Sequence, residues 1–158
     1  MMPQSRPSAF HPARTLRHPR QATVAQHPAI RHVKQMAEER FEFIAGQRPR
    51  TLRIVFRGFW DGDAVDSYLA ALRQRATMAA TPSPIDRVLL DMKACTVQSQ
   101  TVMNSFMKII TDYAARISEY GVLLPESALL RLQMERLMHN TPALFFKEEN
   151  KAIQWLNS

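Results

Sequence analysis

The chain has 158 residues, 46% of them apolar, which is enough for one domain to bury a core without disulfides or a structural metal. Its one cysteine, Cys95, excludes an internal disulfide and any Cys-x-x-Cys redox or zinc site. The longest stretch free of Asp, Glu, Lys and Arg, residues 94–107, has 14 residues and several polar side chains, too short for a helical membrane span; a soluble, cytoplasmic protein is expected.

The net charge of +7 is unevenly placed. Six of the 21 basic residues (Arg6, Arg14, Arg17, Arg20, Arg31, Lys34) and none of the 14 acidic ones lie in the first 35 residues, which leaves 15 against 14 in the rest, a net of +1. Four of the five histidines and five of the ten prolines also fall there. Such a composition buries too little apolar area to offset its ordering entropy, so residues 1–37 are read as a disordered basic leader and 38–158 as the folded domain. Nucleic acid is not expected as a partner except through that leader, by counterion release. His11, His18, His27 and His32 are spaced so that no two share a helix face, which argues against a metal site. Acids and strand patterning begin with Met36-Ala37-Glu38-Glu39-Arg40, so a natural start at or near Met36 is expected.

Residues 41–45, Phe-Glu-Phe-Ile-Ala, predict a strand, and Gly46 to Arg50 supply a turn. Residues 51–58 alternate Leu52, Ile54 and Phe56 with Arg53 and Arg57, the second strand of a hairpin with one buried face. Asp61 or Asp63 caps a helix carrying Val65, Leu69, Leu72 and Ala76 on one stripe, to about Ala79. Thr81-Pro82-Ser83-Pro84 is a loop, and the apolar run at 87–92 predicts a central strand covered on both faces. Val102, Phe106, Ile109, Tyr113 and Ile117 mark a second helix, and residues 121–124 a short buried strand stopped by Pro125. A third helix at 126–138 has Leu130, Met134, Leu137 and Met138 as its core stripe. A last strand at 143–147 and a helix at 148–156 follow, the latter packing Ala152, Trp155 and Leu156 inward. The order β-β-α-β-α-β-α-β-α predicts an α/β domain whose mixed, mostly parallel sheet opens on a hairpin.

Enzyme signatures are lacking. The four glycines are too scattered for a phosphate loop, and there is no Gly-x-Ser-x-Gly or His-Glu-x-x-His motif. Cys95 beside Lys93 has the setting of a lowered-pKa thiol but no partner histidine, since His139 is the one histidine after residue 35. Asp61-Gly62-Asp63 suits capping better than calcium, which needs further carboxylates. No cofactor, no metal and no catalysis are expected. Phe59 and Trp60, between a strand and a helix, are read as a staple of the hairpin onto the helices or as an aromatic anchor for a partner. Met103, Met107, Met134 and Met138 are read as core filler on facing helices or as the lining of a groove.

Four features in this order and spacing resemble the STAS domain, in its small bacterial SpoIIAA-like branch of sporulation anti-sigma-factor antagonists. They are the hairpin ending Leu52-Arg53-Ile54-Val55-Phe56-Arg57-Gly58-Phe59-Trp60-Asp61, the helix with Tyr68-Leu69-Ala70-Ala71-Leu72, the strand Val88-Leu89-Leu90-Asp91, and the closing helix with Ala152-Ile153-Gln154-Trp155-Leu156. The resemblance implies a non-enzymatic regulatory module that binds a protein partner, a regulator or kinase, through the loop after the third strand. In the family that loop presents a phosphorylatable Ser or Thr at a helix start. Asp91 matches the family's strand-end aspartate, whereas ungapped spacing puts Ser99 at its loop Asp, Gln100 at the phosphoacceptor and Val102 at the Gly. The acceptor motif is therefore absent as written, and Ser99 or Thr101 substitutes only if the loop shifts by one residue; otherwise Ser99 caps the second helix. Asp91, Cys95, Ser99, Gln100 and Thr101 form the candidate interaction loop, and a homodimer through the hairpin edge or a Met surface is expected. The alternative is a small carrier of an apolar or lipid-like ligand, which requires a cavity of roughly 300 Å³ between the second and third helices.

Overall fold

A computed structural model describes residues 40–78 and 85–158. The leader, the start at Met36, the loop at 81–84 and the helix end at Ala79 lie outside the described residues. The described part runs β1 (Phe41–Ala45), β2 (Thr51–Gly58), α1 (Gly62–Met78), β3 (Ile85–Cys95), α2 (Gln100–Tyr113), a 3₁₀ turn (Ala114–Arg116), β4 (Ile117–Leu123), α3 (Ala128–Leu137), β5 (Ala143–Phe146) and α4 (Glu149–Asn157).

The five strands form one sheet in the order β1-β2-β3-β4-β5. β1 pairs antiparallel with β2, and every later pair is parallel. Parallel crossovers are right-handed, and here each moves one strand in the same direction, which sends α1, α2 and α3 to one face. That face holds the main core, in which Leu52, Ile54, Phe56, Val88, Leu90 and Val122 meet Val65 and Tyr68 of α1, Val102 and Phe106 of α2, and Leu130 and Met134 of α3. The opposite face is closed by α4 alone, over a small cluster of Leu89, Leu123, Ala152 and Leu156. β3 therefore buries both of its faces, which is why it reads as a continuous apolar run.

Four elements depart most from the sequence expectation. β3 continues to Cys95 instead of ending at Met92. Its register with β2 slips by one residue between Val55↔Asp91 and Arg57↔Ala94, a bulge that turns Cys95 back to the helix-covered face after Val88, Leu90 and Met92. The second helix stops at Tyr113, and Ile117 opens β4 instead of closing the helical stripe. The first half of β4, Ile-Ser-Glu, has no apolar run of its own; pairing with Ile85 and Arg87 makes it a strand. In α1 the buried stripe is Ala64, Val65 and Tyr68, with Leu69 and Leu72 half-buried and Ala76 exposed, because an aromatic cluster draws Tyr68 inward.

Two glycines answer specific demands. Gly58 ends β2 at φ +66, in the left-handed region that lets the chain turn out of the sheet. Gly121 lies against the Trp155 ring of α4, which a Cβ would strike.

Candidate interaction face

The carboxyl ends of β2, β3 and β4 open at one end of the sheet, where α1, α2 and α3 begin. Asp61 caps α1, its Oδ1 accepting from Ala64 N–H at 2.9 Å. Ser99 caps α2 by accepting from Val102 N–H at 3.3 Å, and Ser127 caps α3 by accepting from Leu130 N–H at 3.3 Å. The capping reading of Ser99 therefore holds.

Gln98 binds these ends together, and no motif pointed to it. It is 4% exposed. Its Oε1 accepts from Trp60 N–H at 2.9 Å, while its Nε2 donates to Gly58 O at 3.0 Å and Thr96 O at 2.7 Å. Its main chain is held by α3: Gln98 N–H donates to Gln133 Oε1 at 3.1 Å, and Gln133 Nε2 donates to Gln98 O at 2.8 Å. Turns at strand ends strand polar backbone groups away from water, and one buried carboxamide satisfies three of them. Gln98 has no signal in the sequence that separates it from any loop glutamine. Gln133 does have one, because it falls between Leu130 and Leu137 on the apolar stripe of α3.

The predicted site residues divide. Ser99, Gln100 and Thr101 are exposed together at the start of α2. Asp91 is not in a loop. It lies within β3 with its side chain 4% exposed, pairs with Arg53 and accepts from Lys93 N–H at 3.1 Å. Arg53 also holds Glu149 of α4 at 2.6 Å, and Lys93 holds the same carboxylate at 3.2 Å. The hydrogen bond from Arg53, then that from Lys93, keeps the Glu149 carboxyl below its ordinary range. Asp91 therefore fastens the sheet to α4, and the residues after it continue the strand.

Cys95 is likewise withdrawn from the surface. It is 7% exposed, its Sγ 3.5 Å from Gly58 O and 3.3 Å from Gln98 Nε2, and burial pushes its pKa up to about 11. The activating lysine does not reach it, since Lys93 turns to the α4 face. Burial therefore favours the neutral thiol here.

Phe59 and Trp60 take opposite roles. Trp60 is 0% exposed and its ring lies 5.1 Å from that of Phe106, 5.4 Å from Phe56 and 5.6 Å from Tyr68. It is core and cannot anchor a partner. Phe59 is 57% exposed beside it, as is Leu129 in the first turn of α3, a residue the sequence reading passed over. Leu132, one turn further on, is 49% exposed. Met103, Met134 and Met138 are buried as core filler, whereas Met107 lies at the surface.

The main core encloses a void of about 30 Å³ between Phe56, Leu90, Phe106, Ile110 and Met134. That is the space of a single water, and apolar walls keep it dry. It falls about tenfold short of a small-molecule site. A wider depression of about 430 Å³ at Leu132, Glu135, Arg136 and His139 is open to solvent and half lined by charge. Among the described residues no three His, Cys, Asp or Glu are grouped to hold a metal, and no helix is long and apolar enough to cross a membrane.

These features define the class: a single-layer wound α/β domain with a SpoIIAA-like fold. The structure is similar to the crystal structure of an uncharacterised protein of the DUF3478 family, with a SpoIIAA-like fold, from Shewanella loihica PV-4, at a TM-score of 0.58 and 14% identity. The match covers 73% of this chain and 91% of that one. No family model and no curated protein matches the sequence.

Proposed function

We propose that the chain is a non-catalytic regulatory module of the bacterial cytoplasm that binds a protein partner through the end of the sheet where α1, α2 and α3 begin. The observation that carries this reading is Phe59, a phenylalanine 57% exposed on a loop pinned through the adjacent Trp60 N–H to buried Gln98. A large apolar side chain on a preorganised backbone loses little entropy on binding, which is the property of an interface anchor. Leu129 adds a second exposed apolar group on the helix that Gln133 ties to the same glutamine. Ser99, Gln100 and Thr101 between them supply a polar rim. With Gln100 at the family's acceptor position and Ser99 engaged as a cap, partner binding here is constitutive and independent of a phosphate switch at position 100.

The test uses the full chain and a Phe59→Ser/Leu129→Ser variant as baits in lysate of the native host, with intact mass spectrometry of each bait. A protein retained in stoichiometric amount by the parent and lost from the variant supports the reading. Equal retention by both baits, or a small apolar molecule recovered in place of a protein, overturns it.

A further inference from the structure

The doubled hydrogen bond between Gln98 and Gln133 has a consequence for that face, and the inference rests on the interaction reading above. We propose that the Gln98–Gln133 pair is a coupling device, which fixes the β2–α1 turn carrying Phe59 and the first turns of α3 carrying Leu129 as one rigid surface. The chain of contacts is short and complete. Gln133 donates to and accepts from the Gln98 main chain, at 2.8 and 3.1 Å. The Gln98 side chain in turn accepts from Trp60 N–H at 2.9 Å and donates to Gly58 O at 3.0 Å, on both sides of Phe59. Gln133 lies one helical turn from Leu129, on the adjoining part of α3.

The alternatives for holding these two apolar groups in register are weak. Phe59 comes from the end of β2 and Leu129 from the helix after β4, and β3 lies between those two strands in the sheet. Phe59 itself is largely outside the core. The half-buried Gln133 is the component that can be removed without opening the core, because Leu130, Met134 and Leu137 still bury their side chains under α3. Buried amide networks of this kind rigidify only while every member is paired, so loss of one pair of bonds is felt at the others. The expected behaviour is therefore transmission: removing a side chain on α3 loosens a turn that it does not touch.

The experiment is amide hydrogen exchange by NMR on the full chain, comparing the parent with Gln133→Ala and with Glu135→Ala on the exposed side of the same helix. In Gln133→Ala the Gln98 amide, which loses its acceptor, exchanges faster by about tenfold, as expected for one net hydrogen bond. The decisive readout is the Trp60 amide, which bonds to Gln98 and not to Gln133. Its exchange also accelerates in Gln133→Ala and is unchanged in Glu135→Ala, with amides of β3 and β4 unaffected in both. Acceleration confined to the Gln98 amide overturns the proposal, and so does uniform acceleration across the sheet, which would report global destabilisation. No partner enters this measurement, so failure of the protein-binding reading and failure of the coupling are seen separately.

Discussion

Arg53 in β2 and Asp91 in β3 form an ion pair beneath the start of α4, with Arg53 Nε donating to Asp91 Oδ2 at 3.0 Å. They are diagonal neighbours, since Val55 is the residue directly across from Asp91. The pair sits on the one sheet face that no crossover helix covers, and Glu149 extends it into α4. Position at a strand end in the sequence had suggested a surface role for Asp91; a second layer of structure over the strand gives it a structural one.

Breaking this pair from one side leaves a charge in a dry setting. Arg53→Met is expected to destabilise the domain by about 3 kcal/mol in urea denaturation, because the buried Asp91 carboxylate loses its cation, whereas Asp91→Asn costs less because Glu149 still compensates Arg53. The double replacement Arg53→Met/Asp91→Leu recovers most of that loss, and a double-mutant cycle measures the coupling.

Acid weakens the Glu149 contact and the cap of α1 together. Glu149 is held below its ordinary range first by the Arg53 hydrogen bond, and Asp61 first by the Ala64 N–H it accepts at the start of α1. A depressed carboxyl pKa contributes stability above the unfolded-state value and loses it as the pH falls through the folded one. Urea midpoints are therefore level near neutrality and decline as the pH drops below about 4, and Glu149→Gln flattens part of that decline.

Cys95 gives the opposite sign. Burial raises its pKa to about 11, so the neutral thiol is the favoured form and its contribution is lost only as the pH climbs from the ordinary thiol range toward that value. At pH 8 the native chain reacts with a disulfide reagent roughly a hundredfold more slowly than a free thiol, and at the free rate in denaturant.

Adjacent aromatics separate surface from core. Trp60→Leu removes ring contacts to Phe56, Tyr68 and Phe106 and is expected to cost about 3 kcal/mol. Phe59→Ser, one residue earlier, changes stability by no more than about 0.5 kcal/mol. Thermal unfolding of the two variants distinguishes them directly.

Gly121→Ala drives a methyl group into the Trp155 ring and costs about 2 kcal/mol by overpacking. In a Trp155→Leu background the same substitution is close to neutral, because the obstacle is gone.

Much of the fold was legible because burial leaves a periodic trace. β1 and β2 have the bounds their alternation predicts, and the four helices show where apolar stripes fall at helical spacing. The strand Val88-Leu89-Leu90 announced cover on both faces by its lack of polar alternation. The errors came where local pattern was silent. Ile117 fits the α2 stripe by spacing, and only its pairing with Ile85 makes it a strand residue. Lys93 and Ala94 resemble a loop, yet a bulge keeps them in β3.

The candidate face was legible only in part. The spacing of Ser99 before Val102 and Phe106 gave its cap, and the break after Gly58 marked Phe59-Trp60 as a junction. Which of those two aromatics points outward depends on the left-handed turn at Gly58 and on the ring cluster awaiting Trp60.

The sequence by itself determined the element order and most of the core stripes, since these follow from hydrophobic periodicity along a single chain. Tertiary structure alone decided that Asp91 is an anchor for α4, that Cys95 is withdrawn, and that Gln98 joins the ends of β2 and β3 to α3. Those roles are set by partners 35 to 96 residues away (Gln133 for Gln98, Arg53 for Asp91, Glu149 for Arg53), and no local pattern encodes which distant side chain satisfies a buried polar group.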